Sequence, residues 1–196
     1  EISFGVMKKF IEFLLKSVYK SKPIDSSLIE LALDRTFKDV KFYYPNFTIE
    51  EVQSRIENNN NELAVFLFRL GQICHENNLE EQKLQIHWLL KQYCSCEIYF
   101  NNEIGEGFYV VHGQGTVIGS RNKIGKGFII HQGCTIGHKR NGSGSGNVIG
   151  DHVTLYANSS IIGELNIGNN VVIGAHVLIT RDVPDNSIVT VKNNKY

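Results

Sequence analysis

Residues 148–183 read VIGDHVTLYANSSIIGELNIGNNVVIGAHVLITRDV, and an aliphatic residue returns at every sixth position: Ile149, Leu155, Ile161, Ile167, Ile173 and Ile179. Four residues after each of these come Val153, Ser159, Leu165, Val171, Val177 and Val183. The same register holds upstream at Ile118, Ile124, Ile130 and Ile136, with Asn122, Phe128 and Cys134 as partners, and Ile98 and Ile104 begin the run. A helix repeats every 3.6 residues and tolerates glycine poorly, so it does not explain a period of six. A hairpin meander would need turns of varied length. A fixed short period means a solenoid, in which each repeat buries its aliphatics only by stacking on its neighbours. The leading residue and its partner four positions on should point inward, with glycine or asparagine near the corners where positive φ is needed.

The rest of the chain is of another kind. Of 18 glycines, 16 lie in residues 101–196; only Gly5 and Gly71 precede them. Phe10, Phe13, Leu14 and Val18 follow helical spacing, and Ser26-Ser27 with Glu30 suggests a capped second helix through Leu33. Tyr44-Pro45-Asn46 breaks the pattern and Asn58 to Asn61 marks another junction. Residues 62–76 and 79–93 read as two further helices, with Asn77-Asn78 as the turn. The expectation is an α+β chain, with a helical region over 1–94 and a solenoid domain over 95–196.

Composition narrows the function. The chain has 196 residues, 42% of them hydrophobic, enough for one cored domain with a modest second layer. Lys+Arg and Asp+Glu are 20 each, which argues against a nucleic-acid protein. No apolar run approaches the roughly 20 residues of a membrane span, and no signal peptide is visible. Cys74, Cys94, Cys96 and Cys134 are few and irregularly spaced, the pattern of reduced thiols in a cytoplasmic protein. Met7 is the only methionine, with six residues before it.

Between Ile136 and Ile149 the spacing stretches to 13, and residues 138–147 form a polar, glycine-rich excursion from the scaffold. Loops leaving a rigid scaffold are common places to bind a ligand. Of seven histidines, His112 stands out because Val110-Val111-His112-Gly113-Gln114-Gly115 breaks the sixfold register. Imidazole is the usual general base near neutral pH.

The repeat resembles that of the left-handed parallel β-helix acyltransferases, and residues 62–184 look like the catalytic half of bacterial serine acetyltransferases. The family's Val-Asp-Ile-His-Pro-Ala-Ala-Lys-Ile-Gly is met without a gap by Cys96-Glu97-Ile98-Tyr99-Phe100-Asn101-Asn102-Glu103-Ile104-Gly105. Its Asp-His-Ala-Thr-Gly is met by Val111-His112-Gly113-Gln114-Gly115, and Phe128 to His138 and Ile161 to Leu165 match later coils. The resemblance implies acetyl transfer from acetyl-CoA to a hydroxyl, with His112 as general base and Glu97 orienting it. It also implies no metal, acetyl-CoA contacts at Gly137, Lys139, Arg140, Ala157, Ala175 and Lys195, and acceptor contacts at Gln132 and His138. It further implies a homotrimer with sites between subunits, whose helical layer either pairs trimers into hexamers or grips the acceptor.

Departures bear on the acceptor. The family's Asp before the catalytic histidine is Val111 here, its Asp-Arg-His-Pro loop motif is missing, and its extended tail is absent. These features resemble the related enzymes of capsule and lipopolysaccharide synthesis, so a saccharide hydroxyl is the expected acceptor, with L-serine as the alternative. Two other readings are a metal enzyme of the γ-carbonic-anhydrase kind, using His112, His131 and His138, and a non-catalytic solenoid.

Overall fold

The computed structural model describes residues 2–140 and 144–191. Five helices come first: α1 (Ile2–Leu15), α2 (Ser26–Tyr43), α3 (Ile49–Asn58), α4 (Asn60–Glu76) and α5 (Glu80–Cys94). The cap of α2 is Asp25, whose carboxylate accepts from the Ser27 N–H, and the helix runs ten residues beyond the expected Leu33. The sequence reading left 49–58 without a helix. Its signal is a capping box, in which Thr48 and Glu51 each accept from the other's backbone N–H. Val52 and Ile56 then bury one face.

The second half is a parallel solenoid of short strands. Its first coil holds β1 (Glu97–Ile98), β2 (Glu103–Ile104) and β3 (Tyr109–Val111); the next holds β4 (Val117–Ile118), β5 (Lys123–Ile124) and β6 (Ile129–His131). Then come β7 (Thr135–Gly137), β8 (Val148–Ile149) and β9 (Thr154–Leu155), followed by β10 (Ser160–Ile162), β11 (Asn166–Ile167) and β12 (Val172–Ile173). β13 (Leu178–Ile179) and β14 (Ile188–Val189) close the run. Strands three apart pair, save that the last strand β14 pairs with β12, giving three faces: β1-β4-β7-β10-β13, β2-β5-β8-β11 and β3-β6-β9-β12-β14. This is the helical layer and parallel β-helix that the period of six implied. The leading aliphatics from Ile118 to Ile179 are all buried, as are the partners Phe128, Cys134, Val153, Val171, Val177 and Val183.

One inward column is polar. Asn102, Asn122 and Asn147 are buried, and each side-chain oxygen accepts from the backbone of the coil beyond: Asn122 N–H to Asn102 at 2.8 Å, Asn147 N–H to Asn122 at 2.9 Å and Leu165 N–H to Asn147 at 3.1 Å. Corner N–H groups have no strand partner, so the ladder satisfies donors that would otherwise be buried unpaired.

A solenoid must cover its open end. Here α4 does so: Phe68 packs edge-on to Phe108 at 5.5 Å, and Phe108 stacks on Phe128 of the next coil at 6.1 Å. Gly71 lets α4 come close, since a Cβ there would run into the Phe100 ring. The two cores are thereby continuous.

Candidate active site

Catalytic placement begins with a corner. Tyr109 pairs with Ile129 and Val117 with Thr135, steps of 20 and 18 residues, so the first coil carries two extra residues between β3 and β4. His112 heads this widened turn at φ 64°, followed by Gly113 at 53°. The broken register in the sequence is this bulge, and it leaves the imidazole exposed. The turn folds back over the start of the coil: the Gly115 N–H donates to Ser95 O at 2.8 Å and the Glu97 N–H to Thr116 O at 2.9 Å. Glu97, Ser95, Gly115 and Thr116 line one groove.

Within that groove Glu97 is held from α5. Its Oε1 lies 3.2 Å from His87 Nε2 and 2.9 Å from Lys91 Nζ. Burial pushes the Glu97 carboxyl up, but Lys91 and His87 together outweigh it and hold the group below its ordinary value. Burial and Lys91 push the His87 imidazole down, so it is neutral near pH 7 and donates its Nε2–H to the carboxylate. The His112 side chain makes no hydrogen bond among the described residues; the turn it heads reaches the Glu97 groove through Gly115 and Thr116.

The next rung adds His131, which the sequence reading weighed only as a metal ligand. His131 is the register partner of Val111, one residue before His112, and its ring stacks on Tyr156 at 4.8 Å. Burial, then the neighbouring His112, push the His131 imidazole below its ordinary value. The signal was available as coil length: residues one coil apart share a corner. His87 and Lys91, four apart on a helix, were likewise legible as one face.

The other expected binding residues divide between two corners. Gln132, Ala157 and Ala175 stand on the His112 side, where the Asn158 N–H donates to Gln132 O and the His176 N–H to Ala157 O. Gly137 and His138 lie at the far end of β7, with exposed Lys139 and Arg140 following. His138 Nε2 sits 2.8 Å from Ser120 O, leaving a buried Nδ1 with no partner. The two groups bracket the face built from β1, β4, β7, β10 and β13. Lys195 and residues 141–143 of the excursion lie outside the described residues. The three histidines of the metal reading do not meet in one chain, because His138 is at the second corner. No group of three or more metal-ligating side chains occurs among the described residues.

Comparison with known proteins agrees with this architecture. Residues 148–181 match the bacterial transferase hexapeptide family of six repeats. The chain is 32% identical over 125 residues to serine acetyltransferase of Synechococcus elongatus, covering 60% of this chain and 51% of that protein. It is 28% identical over 125 residues to that of Helicobacter pylori, covering 63% and 73%. It thus spans about half the length of the first of these relatives. Among solved structures, serine acetyltransferase of Brucella abortus in complex with coenzyme A aligns with a TM-score of 0.75 at 18% identity, covering 96% of this chain and 78% of that one. Isoform 3 from Entamoeba histolytica, in complex with cysteine, gives 0.70 at 21%, covering 98% and 71%.

These relatives correct the expected acceptor. The saccharide reading rested on Val111, on a missing loop motif and on a short tail, yet the relatives matched over some 125 residues are serine acetyltransferases. Lacking one motif in a loop does not by itself supply the groups that would recognise a sugar. Taken together, the coils, the repeat match and the relatives mark a hexapeptide-repeat parallel β-helix that is similar to serine acetyltransferases.

Proposed function

We propose that the chain is a serine O-acetyltransferase using acetyl-CoA, with His112 as general base and Glu97 as the carboxylate that orients it. What supports the reading is the widened turn headed by His112, whose Gly115 and Thr116 bond to Ser95 and Glu97, in a chain similar to serine acetyltransferases. The imidazole takes the proton from the serine hydroxyl as its oxygen attacks the thioester carbonyl. The resulting imidazolium is stabilised by the carboxylate and then returns the proton to the departing coenzyme A thiolate, leaving O-acetylserine. The Gln114, Gly115 and Thr116 N–H groups of the turn are already bonded, so the Gly113 N–H is the candidate donor for the transient oxyanion.

In this reading acetyl-CoA lies along the bracketed face. Gly137, Ala157 and Ala175 allow close approach of its pantetheine arm, Lys139, Arg140 and Lys195 meet its phosphates, and Gln132 and His138 face the acceptor. The solenoid assembles as a trimer: Leu178 and Ile188, 63% and 75% exposed, are apolar surface that a neighbouring copy would cover. The location is cytoplasmic, where acetyl-CoA is at hand and the four buried, unbridged cysteines stay reduced. Among the described residues no helix is long and apolar enough to cross a membrane.

The deciding measurement is thiol release from acetyl-CoA on adding L-serine, with wild type and His112→Ala side by side. Release that depends on serine and falls by roughly 10²–10⁴-fold on substitution is expected. No serine-dependent release from the folded wild type would overturn the reading.

A further inference from the structure

The Glu97 carboxylate is held in an uneven way. Both contacts from α5, His87 at 3.2 Å and Lys91 at 2.9 Å, fall on Oε1. Oε2 has no hydrogen bond among the described residues, and the strand carrying it lies under the turn that His112 heads. His87 is itself braced: the Tyr99 ring meets it edge-on at 5.4 Å and the Phe100 ring at 5.6 Å. We propose that His87 and Lys91 are positioning residues, a two-point clamp on Oε1 that presents Oε2 of Glu97 to the His112 imidazole. The inference rests on the proposed roles of Glu97 and His112 and adds two residues that touch neither substrate.

The physical argument concerns freedom and charge. A glutamate has three side-chain torsions, and an unheld one on a half-exposed strand would sample many orientations. Orienting an imidazole needs the acceptor oxygen within a narrow range of distance and angle. Two donors converging on one oxygen fix the carboxylate plane and so fix where the second oxygen points. The clamp also keeps the group ionised: Lys91 supplies a cation, while His87, neutral near pH 7, donates without adding charge. His87 and Lys91 sit four residues apart on α5, so one helix face delivers both. On the far side of His112 the group in electrostatic contact is His131, stacked on Tyr156. The charge bearing on Glu97 therefore comes from α5.

The test is steady-state kinetics with L-serine and acetyl-CoA across pH, roughly 5.5 to 9. The variants are Lys91→Met, Lys91→Arg, His87→Gln and His112→Ala, with Lys91→Met repeated in Glu97→Gln. The Lys91 side chain is 48% exposed, so its variants should fold; thermal melting checks this. Lys91→Met should lower kcat about tenfold with both KM values unchanged. Its acid limb should move to higher pH, because Glu97 without its cation is protonated more readily. Lys91→Arg and His87→Gln, which each keep a donor, should stay near wild type. Once Glu97 is Gln, Lys91→Met should cost nothing further.

An unchanged kcat and acid limb in Lys91→Met, alongside inactive His112→Ala, would overturn the clamp and leave the base intact. A rise in KM alone would make Lys91 a substrate contact and overturn it too. An undiminished loss in the Glu97→Gln background would do the same. Full activity in His112→Ala would instead remove the reading on which the clamp stands.

Discussion

Arg69 and Asp39 form a bidentate pair inside the junction between the helices and the first coil. Nε reaches Oδ2 and Nη2 reaches Oδ1, both at 2.8 Å, with side chains 6% and 1% exposed. The pair is not isolated: Arg69 also donates to Ile104 O and Gly105 O, and Asp39 Oδ1 accepts the Gly107 and Phe108 N–H groups. Burial pushes the Asp39 carboxyl up, opposed by Arg69 and the two backbone donors. One salt bridge thus fastens α2 and α4 to the corner on which the active coil is built. Removing one partner strands the other charge in the interior. Arg69→Met should cost about 3–5 kcal/mol by urea unfolding, whereas breaking the exposed Lys38–Asp34 pair should cost far less.

The asparagine ladder makes a second stability prediction. In Asn122→Ala, the Asn147 N–H loses its acceptor, while Asn102 Oδ1 and Gly119 O lose the Asn122 amide donor. Each unsatisfied buried group costs about 1–3 kcal/mol. The coils between Asn102 and Asn147 should loosen together, seen as faster amide exchange at Leu165 and Lys123, with global stability lowered by at least about 2 kcal/mol. Unchanged exchange at both would mean that water replaces the amide.

How far the sequence alone reached follows from the range of each interaction. The solenoid core repeats every six residues, so Ile118 to Ile179 announced their burial locally, and even Asn122 fell in the inward register. His112 was legible because it broke that register. The clamp on Glu97 was not, because His87 and Lys91 meet it only after α5 has docked on the first coil, a tertiary fact. His131 was weighed only as a metal ligand, because its place beside His112 at one corner depends on where the two extra residues of the first coil are absorbed. The helix at 49–58 is a different failure. Its capping box was local and readable, but the proline at 45 and the asparagines at 58–61 drew the reading toward breaks.

The excursion loop returns to the scaffold through a glycine. Gly146 has φ +84°, and a Cβ there would collide with the Arg121 backbone carbonyl of the coil beneath. Neither the conformation nor the space admits a side chain. Gly146→Ala should therefore displace the return of the excursion at residues 144–146 and weaken the Asn147 rung, lowering stability by about 1–3 kcal/mol. Gly5→Ala, where nothing lies within 4 Å, is the control and should be neutral within about 0.5 kcal/mol.

The His131 imidazole makes the last prediction, one of pH. Burial against Tyr156, then His112, depress its folded value below that of the unfolded chain. A histidine with a depressed value binds fewer protons folded than unfolded once pH drops below the unfolded value, about 6.5. Its neutral form therefore imposes no penalty above that pH. Stability is then lost as pH falls from about 6.5 through the folded value, since the unfolded chain gains the proton first. In His131→Leu that part of the acid sensitivity should vanish, flattening stability between roughly pH 6.5 and 5 relative to wild type. His112→Ala should move the His131 titration upward, because a neighbouring positive charge has gone, and carbon-bound proton shifts of the ring would record it. A His131 titration that does not move in His112→Ala would mean that the two rings do not feel each other, and that burial alone depresses His131.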